Sequence, residues 1–317
     1  MYDVAALGEL LIDFTCLSTD ADGYPTMAAH PGGAPANYLA ALTKFGAKTA
    51  MIGKVGNDAF GRLLIKTLKG AGIDTRGMLV SDDVFTTLAF VTLDDSGDRE
   101  FSFARKPGAD TQLRYDEIDL GVIDASKVLH FGTLSMTNEP ARDATYKAVE
   151  YAAGHGKLIS FDPNLRKPLW DDLDEAKRQM LWGLGHADVV KISDEETEFL
   201  FGLAPEEAAK HIVDSFGVRL VYVTCGAEGC YYRTKTASGF VKALSGIAVK
   251  DTTGAGDIFG GSAMYGLLRA GGVPEKLTAE ELENIVSFAC AAAGLSTTKA
   301  GGISSVPELG EVEAAMR

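Results

Sequence analysis

The sequence predicts an α/β protein: one mostly parallel central sheet covered by helices on both faces, with a small extra β-sheet. Three observations carry this. From about residue 120 onward, short apolar runs alternate with helix-like stretches, and strands separated by helices pair in parallel. Those runs are apolar almost throughout rather than at every second residue, as strands buried on both faces are. The N-terminal third interrupts the alternation with segments that read as antiparallel hairpins.

Taken in order, Met1-Tyr2-Asp3 leads into a short apolar strand. Residues 10–30 are strand-like and broken by Asp22-Gly23-Tyr24-Pro25, a turn composition. The stretch from Pro31-Gly32-Gly33 to Ala40 opens a helix. Thr87–Leu93 and Arg99–Ala104 flank Asp94-Asp95-Ser96-Gly97-Asp98, which predicts a hairpin turning at Ser96-Gly97. Residues 10–35 and 84–111 would therefore form a small sheet set into a unit spanning 1–317, either as a lid over the strand ends or as an ordinary antiparallel extension. Strands follow at Lys127–Phe131, Lys157–Phe161, Asp188–Ile192 and Arg219–Thr224, with helices at Glu139–Ala153 and Asp174–Gly185. The apolar Gly246-Ile247-Ala248-Val249 reads as a strand handing over to a helix near Gly254. In such sheets ligands sit beyond the carboxyl ends of the strands.

Composition narrows the function. The chain has 317 residues, 46% of them hydrophobic and 23% charged, which is ordinary for a globular protein. A net charge of -14 without a basic stripe argues against a nucleic-acid or anionic-membrane surface. The four cysteines form no CxxC pair and the five histidines no ligand spacing, so no zinc site is expected. With no basic n-region and no apolar run of about eighteen residues, neither a secretory signal nor a membrane helix is expected. The expected setting is cytoplasmic.

The segment Asp251-Thr252-Thr253-Gly254-Ala255-Gly256-Asp257-Ile258-Phe259 breaks a local rule, because glycine is a poor helix former where a helix begins. Successive amides at Gly254, Ala255 and Gly256 can converge on one space, and the helix start adds positive potential: an anion site. Asp257 beside it reads either as a helix-start carboxylate or as a base serving phosphoryl transfer. Local chemistry leaves both open.

This segment resembles the C-terminal signature of the ribokinase (PfkB) family of sugar kinases. Pro31-Gly32-Gly33-Ala34-Pro35-Ala36-Asn37, followed by Gly53-Lys54-Val55-Gly56-Asn57-Asp58, is similar to the family's other signature. Two motifs in the right order and context are far more specific than either alone. The resemblance covers almost the whole chain and implies a ribokinase-like kinase domain over 1–317. It implies ATP and Mg²⁺ as cofactors, with K⁺ as a further ion, a small-molecule sugar as substrate, and a homodimer through the lid strands.

Carried over by position, the resemblance makes Asp257 the catalytic base and Gly254, Ala255 and Gly256 its anion hole. Asp13, Gly32, Gly33 and Asn37 match sugar-binding positions. Ser193 and Glu196 match an NxxE motif whose first position contacts the nucleotide and whose glutamate organises Mg²⁺ through water, with serine here replacing the asparagine at the nucleotide-binding position. Thr224, Gly226 and Gly229 resemble the nucleotide loop. Asp251, Thr253, Gly301 and Ser305 match positions that hold a potassium-like ion. There is no GxxxxGK[ST] and no strict GxGxxG.

The segment from Arg99 to Asp110, which includes Arg105, is similar to the fructokinase branch. So are His130–Met136, Phe161–Trp170 with Arg166, and Asp188–Ser193. That similarity implies fructose phosphorylation at the 6-hydroxyl, with Arg105 reaching the sugar from the lid. The Phe161-Asp162-Pro163-Asn164-Leu165-Arg166 run also occurs in kinases of 2-keto-3-deoxygluconate, whose carboxylate an arginine would hold equally well. That kinase is the alternative, and a catalytically retired sugar-binding protein is the third reading.

Overall fold

The computed structural model describes residues 1–93 and 99–317. The chain begins with β1 (Tyr2–Leu7), β2 (Leu11–Thr19), β3 (Pro25–Gly32), α1 (Ala34–Lys44), β4 (Thr49–Gly56), α2 (Ala59–Gly70), β5 (Asp74–Ser81), β6 (Leu88–Leu93) and β7 (Arg99–Ala104). The middle contains α3 (Leu120–Asp124), β8 (Ser126–Gly132), α4 (Ala141–Gly154), β9 (Leu158–Asp162), α5 (Leu173–His186), β10 (Val189–Ser193), α6 (Asp194–Phe201) and α7 (Pro205–Phe216). It ends with β11 (Leu220–Thr224), β12 (Gly229–Arg233), β13 (Ser238–Lys242), α8 (Ala255–Arg269), α9 (Ala279–Ser296) and α10 (Leu309–Ala315).

The large sheet has the order β13-β12-β11-β10-β9-β8-β1-β4-β5. It is parallel from β11 to β5, and β12 and β13 continue it antiparallel. The central strands such as β1 and β11 are mostly apolar because each face is covered, whereas the edge strands β5 and β13 carry exposed polar residues. Tyr38, Leu39, Ile258, Met264 and Val286 from α1, α8 and α9 pack on one face. Ala144, Ala148, Ala176, Leu184 and Ile212 from α4, α5 and α7 pack on the other. The strands at 127–131, 157–161, 188–192 and 219–224 stand within about one residue of their expected positions.

The smaller sheet has the order β3-β2-β6-β7. Its two hairpins pair antiparallel, with Asp13 opposite His30 and Leu88 opposite Ala104, while β2 and β6 join them in parallel. The sheet springs from the carboxyl end of β1 through Gly8-Glu9-Leu10, so it stands at the ligand edge of the large sheet. The turn expected at Ser96-Gly97 lies outside the described residues.

One strand expectation is corrected. Gly246–Val249 is irregular chain, not a strand. It follows β13, an edge strand of the large sheet, and joins neither sheet. Gly246 turns at φ 75°, and Val249 is 61% exposed. Four apolar letters were too few to separate a strand from a loop that drapes one side chain onto the body.

Candidate active site

The site is assembled around two helix starts. Gly254 caps α8 at φ 75°, in the left-handed region where another residue costs about 1–2 kcal/mol. A Cβ there would lie 3.0 Å from Gly302 Cα and 3.1 Å from Nδ2 of Asn37. Of the first-turn amides that follow, Ala255 N donates to the Thr252 carbonyl at 3.2 Å, and none has an acceptor within the helix. Gly33 caps α1 at φ 119°, and a Cβ on it would stand 2.5 Å from the main-chain oxygen of Glu9. Only glycine lets β1's exit pass so close to this helix.

Asn37 on α1 and Asp257 on α8 are both buried, and Nδ2 of Asn37 donates to Oδ2 of Asp257 at 2.9 Å. Oδ1 of Asn37 is buried without a hydrogen-bond partner. Burial raises the pKa of Asp257, while the Asn37 hydrogen bond and the charges of Lys191 and Arg166 act in the opposite direction. Asp13 on β2 is pushed up to about 6, mainly by burial, with Arg166 opposing. Among the described residues nothing donates a hydrogen bond to the Asp13 carboxylate, which packs against Gly32.

A cavity of about 690 Å³ lies between the two sheets' facing ends. Asp13, Gly33, Asn37 and Arg166 line it together with Ser193, Glu196, Thr224 and Gly226. Thr253, Gly254, Gly256 and Asp257 line it as well. Leu11, Thr15, Val91 and Phe103 of the smaller sheet supply part of the wall. Gly32 and Ala255 adjoin lining residues, but neither they nor Gly229 line it. Gly229 begins β12, where a side chain would run into the Val241 carbonyl of β13, so its need for glycine is a packing need.

Arg105 departs from expectation and does not face the cavity. It is buried, with Nε and Nη2 donating to Asp110 Oδ2 at 2.9 and 2.6 Å, Nη1 to Thr137 Oγ1 at 2.7 Å and Nη2 to the Leu134 carbonyl at 2.8 Å. A guanidinium this fully engaged fastens the base of the smaller sheet to the body. Arg105→Met leaves the Asp110 charge buried alone, which costs about 3–5 kcal/mol. A drop in Tm of roughly 5–10 °C is expected in a thermal melt, with sugar KM nearly unchanged.

Ser193 and Glu196 form a reciprocal cap at the start of α6: Glu196 N donates to Ser193 Oγ at 3.2 Å, and Ser193 N to Glu196 Oε2 at 2.8 Å. The other oxygen of Glu196 accepts from Leu165 N at 2.7 Å, so this carboxylate is fixed by two amides. Asp251 organises a separate loop. Its Oδ1 accepts from Thr253 N at 2.9 Å and Thr253 Oγ1 at 2.7 Å, and its Oδ2 from Gly301 N at 3.0 Å. Ser305 is buried nearby in sequence, donating to the Gly302 carbonyl at 2.8 Å.

Of the lining residues that were missed, two carry mostly buried charge-bearing groups next to the expected ones. Glu9, pushed up to about 8 chiefly by burial, accepts from Ala34 N at 2.7 Å at the start of α1. Lys191 sits within β10, where a lysine in an otherwise apolar, doubly covered strand was a readable signal.

Comparison with known proteins agrees with this geometry. The family model described as "pfkB family carbohydrate kinase" matches residues 1–309. Fructokinase-2 of Solanum lycopersicum is 40% identical, covering 97% of this chain and 94% of that protein. The fructokinase of Xylella fastidiosa solved with bound ATP superposes with a TM-score of 0.91 at 30% identity, over 100% of this chain and 98% of that one. A double mutant of Vibrio cholerae O395 fructokinase, solved with fructose, ADP and a potassium ion, gives a TM-score of 0.87 at 31% identity, over 100% of this chain and 99% of that one. With both signatures gathered into one cavity and the match running nearly end to end, this chain belongs to the pfkB family of carbohydrate kinases.

Proposed function

We propose that this kinase moves the γ-phosphoryl group of ATP onto the 6-hydroxyl of fructose. The observation that carries the reading is the buried Asn37–Asp257 hydrogen bond at the glycine-capped start of α8. It leaves Asn37 Oδ1 to accept from a sugar hydroxyl while Nδ2 holds the carboxylate. Asp13 accepts from further hydroxyls at the same end of the cavity. Asp257 takes the proton of the 6-hydroxyl as its oxygen bonds to the γ-phosphorus and the bond to the β–γ bridging oxygen breaks. Amides at Gly254, Ala255 and Gly256 stabilise charge on the group in flight. The fructokinase relatives, one with fructose and ADP, support the substrate and the nucleotide.

Thr224 and Gly226 flank the nucleotide's end of the cavity. Mg²⁺ bound to ATP would neutralise phosphate charge. Among the described residues no three metal-binding side chains converge, which suits an ion held by phosphates and water, with Glu196 as the fixed acceptor of that water. A potassium ion beside Asp251, Thr253, Gly301 and Ser305 would rest on main-chain carbonyls, because Asp251 already binds the loop together. The smaller sheet acts as the lid that excludes water, and its edge strands β3 and β7 are where a second copy would pair.

The test is a coupled assay of ADP release against fructose, ribose, 2-keto-3-deoxygluconate, tagatose 6-phosphate and nucleosides. Fructose is expected to give the highest kcat/KM. Preference for the keto-deoxy acid would replace the substrate, and no ATP use with any acceptor would leave a retired sugar-binding protein.

A further inference from the structure

The cavity is short of positive charge. Its described lining carries the carboxyl groups of Glu9, Asp13, Asp194, Glu195, Glu196 and Asp257 against two cations, Arg166 and Lys191. A triphosphate entering such a place needs a fixed counter-charge of its own. Arg166 acts on Asp13 and Asp257, at the acceptor's end. Lys191 stands where the phosphates must go. A Cβ on Gly256 would meet its Nζ at 3.0 Å and its Cε at 3.6 Å, so the ammonium rests against the glycine turn itself.

The side chain is placed from behind. Lys191 projects from β10 and its Nζ pairs with Asp162, at the end of β9, at 3.2 and 3.4 Å. These are long for a charged pair, and the ammonium has a third donor to offer. Burial disfavours its charge, but Asp162, Glu196 and Asp257 together outweigh that and hold its pKa above the ordinary lysine value. The stem also borders a small void among Tyr38, His130, Ser160 and Tyr222, and His130 is kept neutral there, pushed down to about 3 by burial and by the Lys191 charge.

We propose that Lys191 is a phosphate-contacting residue: its ammonium, positioned by Asp162 against Gly256, binds the terminal phosphate of ATP and accompanies it through transfer. The proposal rests on the phosphotransfer reading above but is tested by binding, so the two can fail separately. Turnover on the acceptor panel judges the reaction. The affinities of Mg²⁺-ATP and of adenosine, measured by calorimetry without any acceptor, judge Lys191. For Lys191→Gln the ratio of ATP to adenosine affinity is expected to fall at least fivefold, with adenosine itself unchanged, and Lys191→Arg is expected to recover most of it. A smaller fall, an equal loss of adenosine, or no recovery with arginine would overturn the assignment. If Lys191→Gln gives no cooperative melt, Asp162→Asn decides. It keeps the ammonium and removes its competing carboxylate, so ATP should bind at least threefold more tightly; unchanged or weaker binding would overturn the proposal.

Discussion

Asp257→Asn is expected to lower kcat by about 10³-fold while fructose affinity stays within about twofold. The exchange is isosteric and keeps an oxygen for Nδ2 of Asn37, so the contact between α1 and α8 survives. What is lost is the only chemistry an amide cannot supply, acceptance of the hydroxyl proton. Asp257→Ala would be a poorer experiment, because it leaves Asn37 with neither amide atom partnered inside the protein. Steady-state turnover and calorimetry with fructose check the pair of outcomes. Turnover within tenfold of the parent enzyme would move the base elsewhere.

Asp13→Ala should fail in the opposite way. Two hydrogen bonds to a charged acceptor contribute about 1.5–3 kcal/mol each, so fructose KM should rise by about 10²-fold or more with a far smaller change in kcat. The pH profile adds a sign. Asp13 sits near 6, above the ordinary carboxylate range, and the pKa of Asp257 is raised as well. Both must be ionised to accept protons or hydroxyls. Below about pH 6 kcat/KM should therefore fall, steepening past one decade per pH unit where both groups titrate. In Asp13→Ala the limb should relax to a single ionisation. A profile flat to pH 5 would contradict the role of Asp13.

The fold was legible where strands are buried on both faces, because β8 to β11 leave short, mostly apolar runs spaced by helices. The smaller sheet was legible as two hairpins, but the parallel joint between β2 and β6 leaves no local trace. Gly246–Val249 misled because hydrophobicity in so short a run does not say whether a neighbouring strand is present. At the site, the glycine turn and Asp257 were readable from chemistry and their roles from resemblance. Arg105 was misplaced because its partner, Asp110, lies five residues on, and proximity in sequence does not say which of carboxylate or substrate will occupy a guanidinium. Ser193 to Glu196 spelled a reciprocal helix cap that could have been read directly. Lys191 was readable as a charge in an apolar strand and was overlooked, whereas Glu9 takes its meaning from the start of α1, 25 residues on.

Asn37 and Asp257 are 220 residues apart in sequence, and that separation has a bearing on synthesis. As the chain leaves the ribosome, β1, β4 and Asn37 emerge first, and Asp257 only near the end. A nascent or truncated product can hold much of the large sheet and still be inert. The enzyme cannot act on its substrate before it has nearly all been made, and this follows from topology alone.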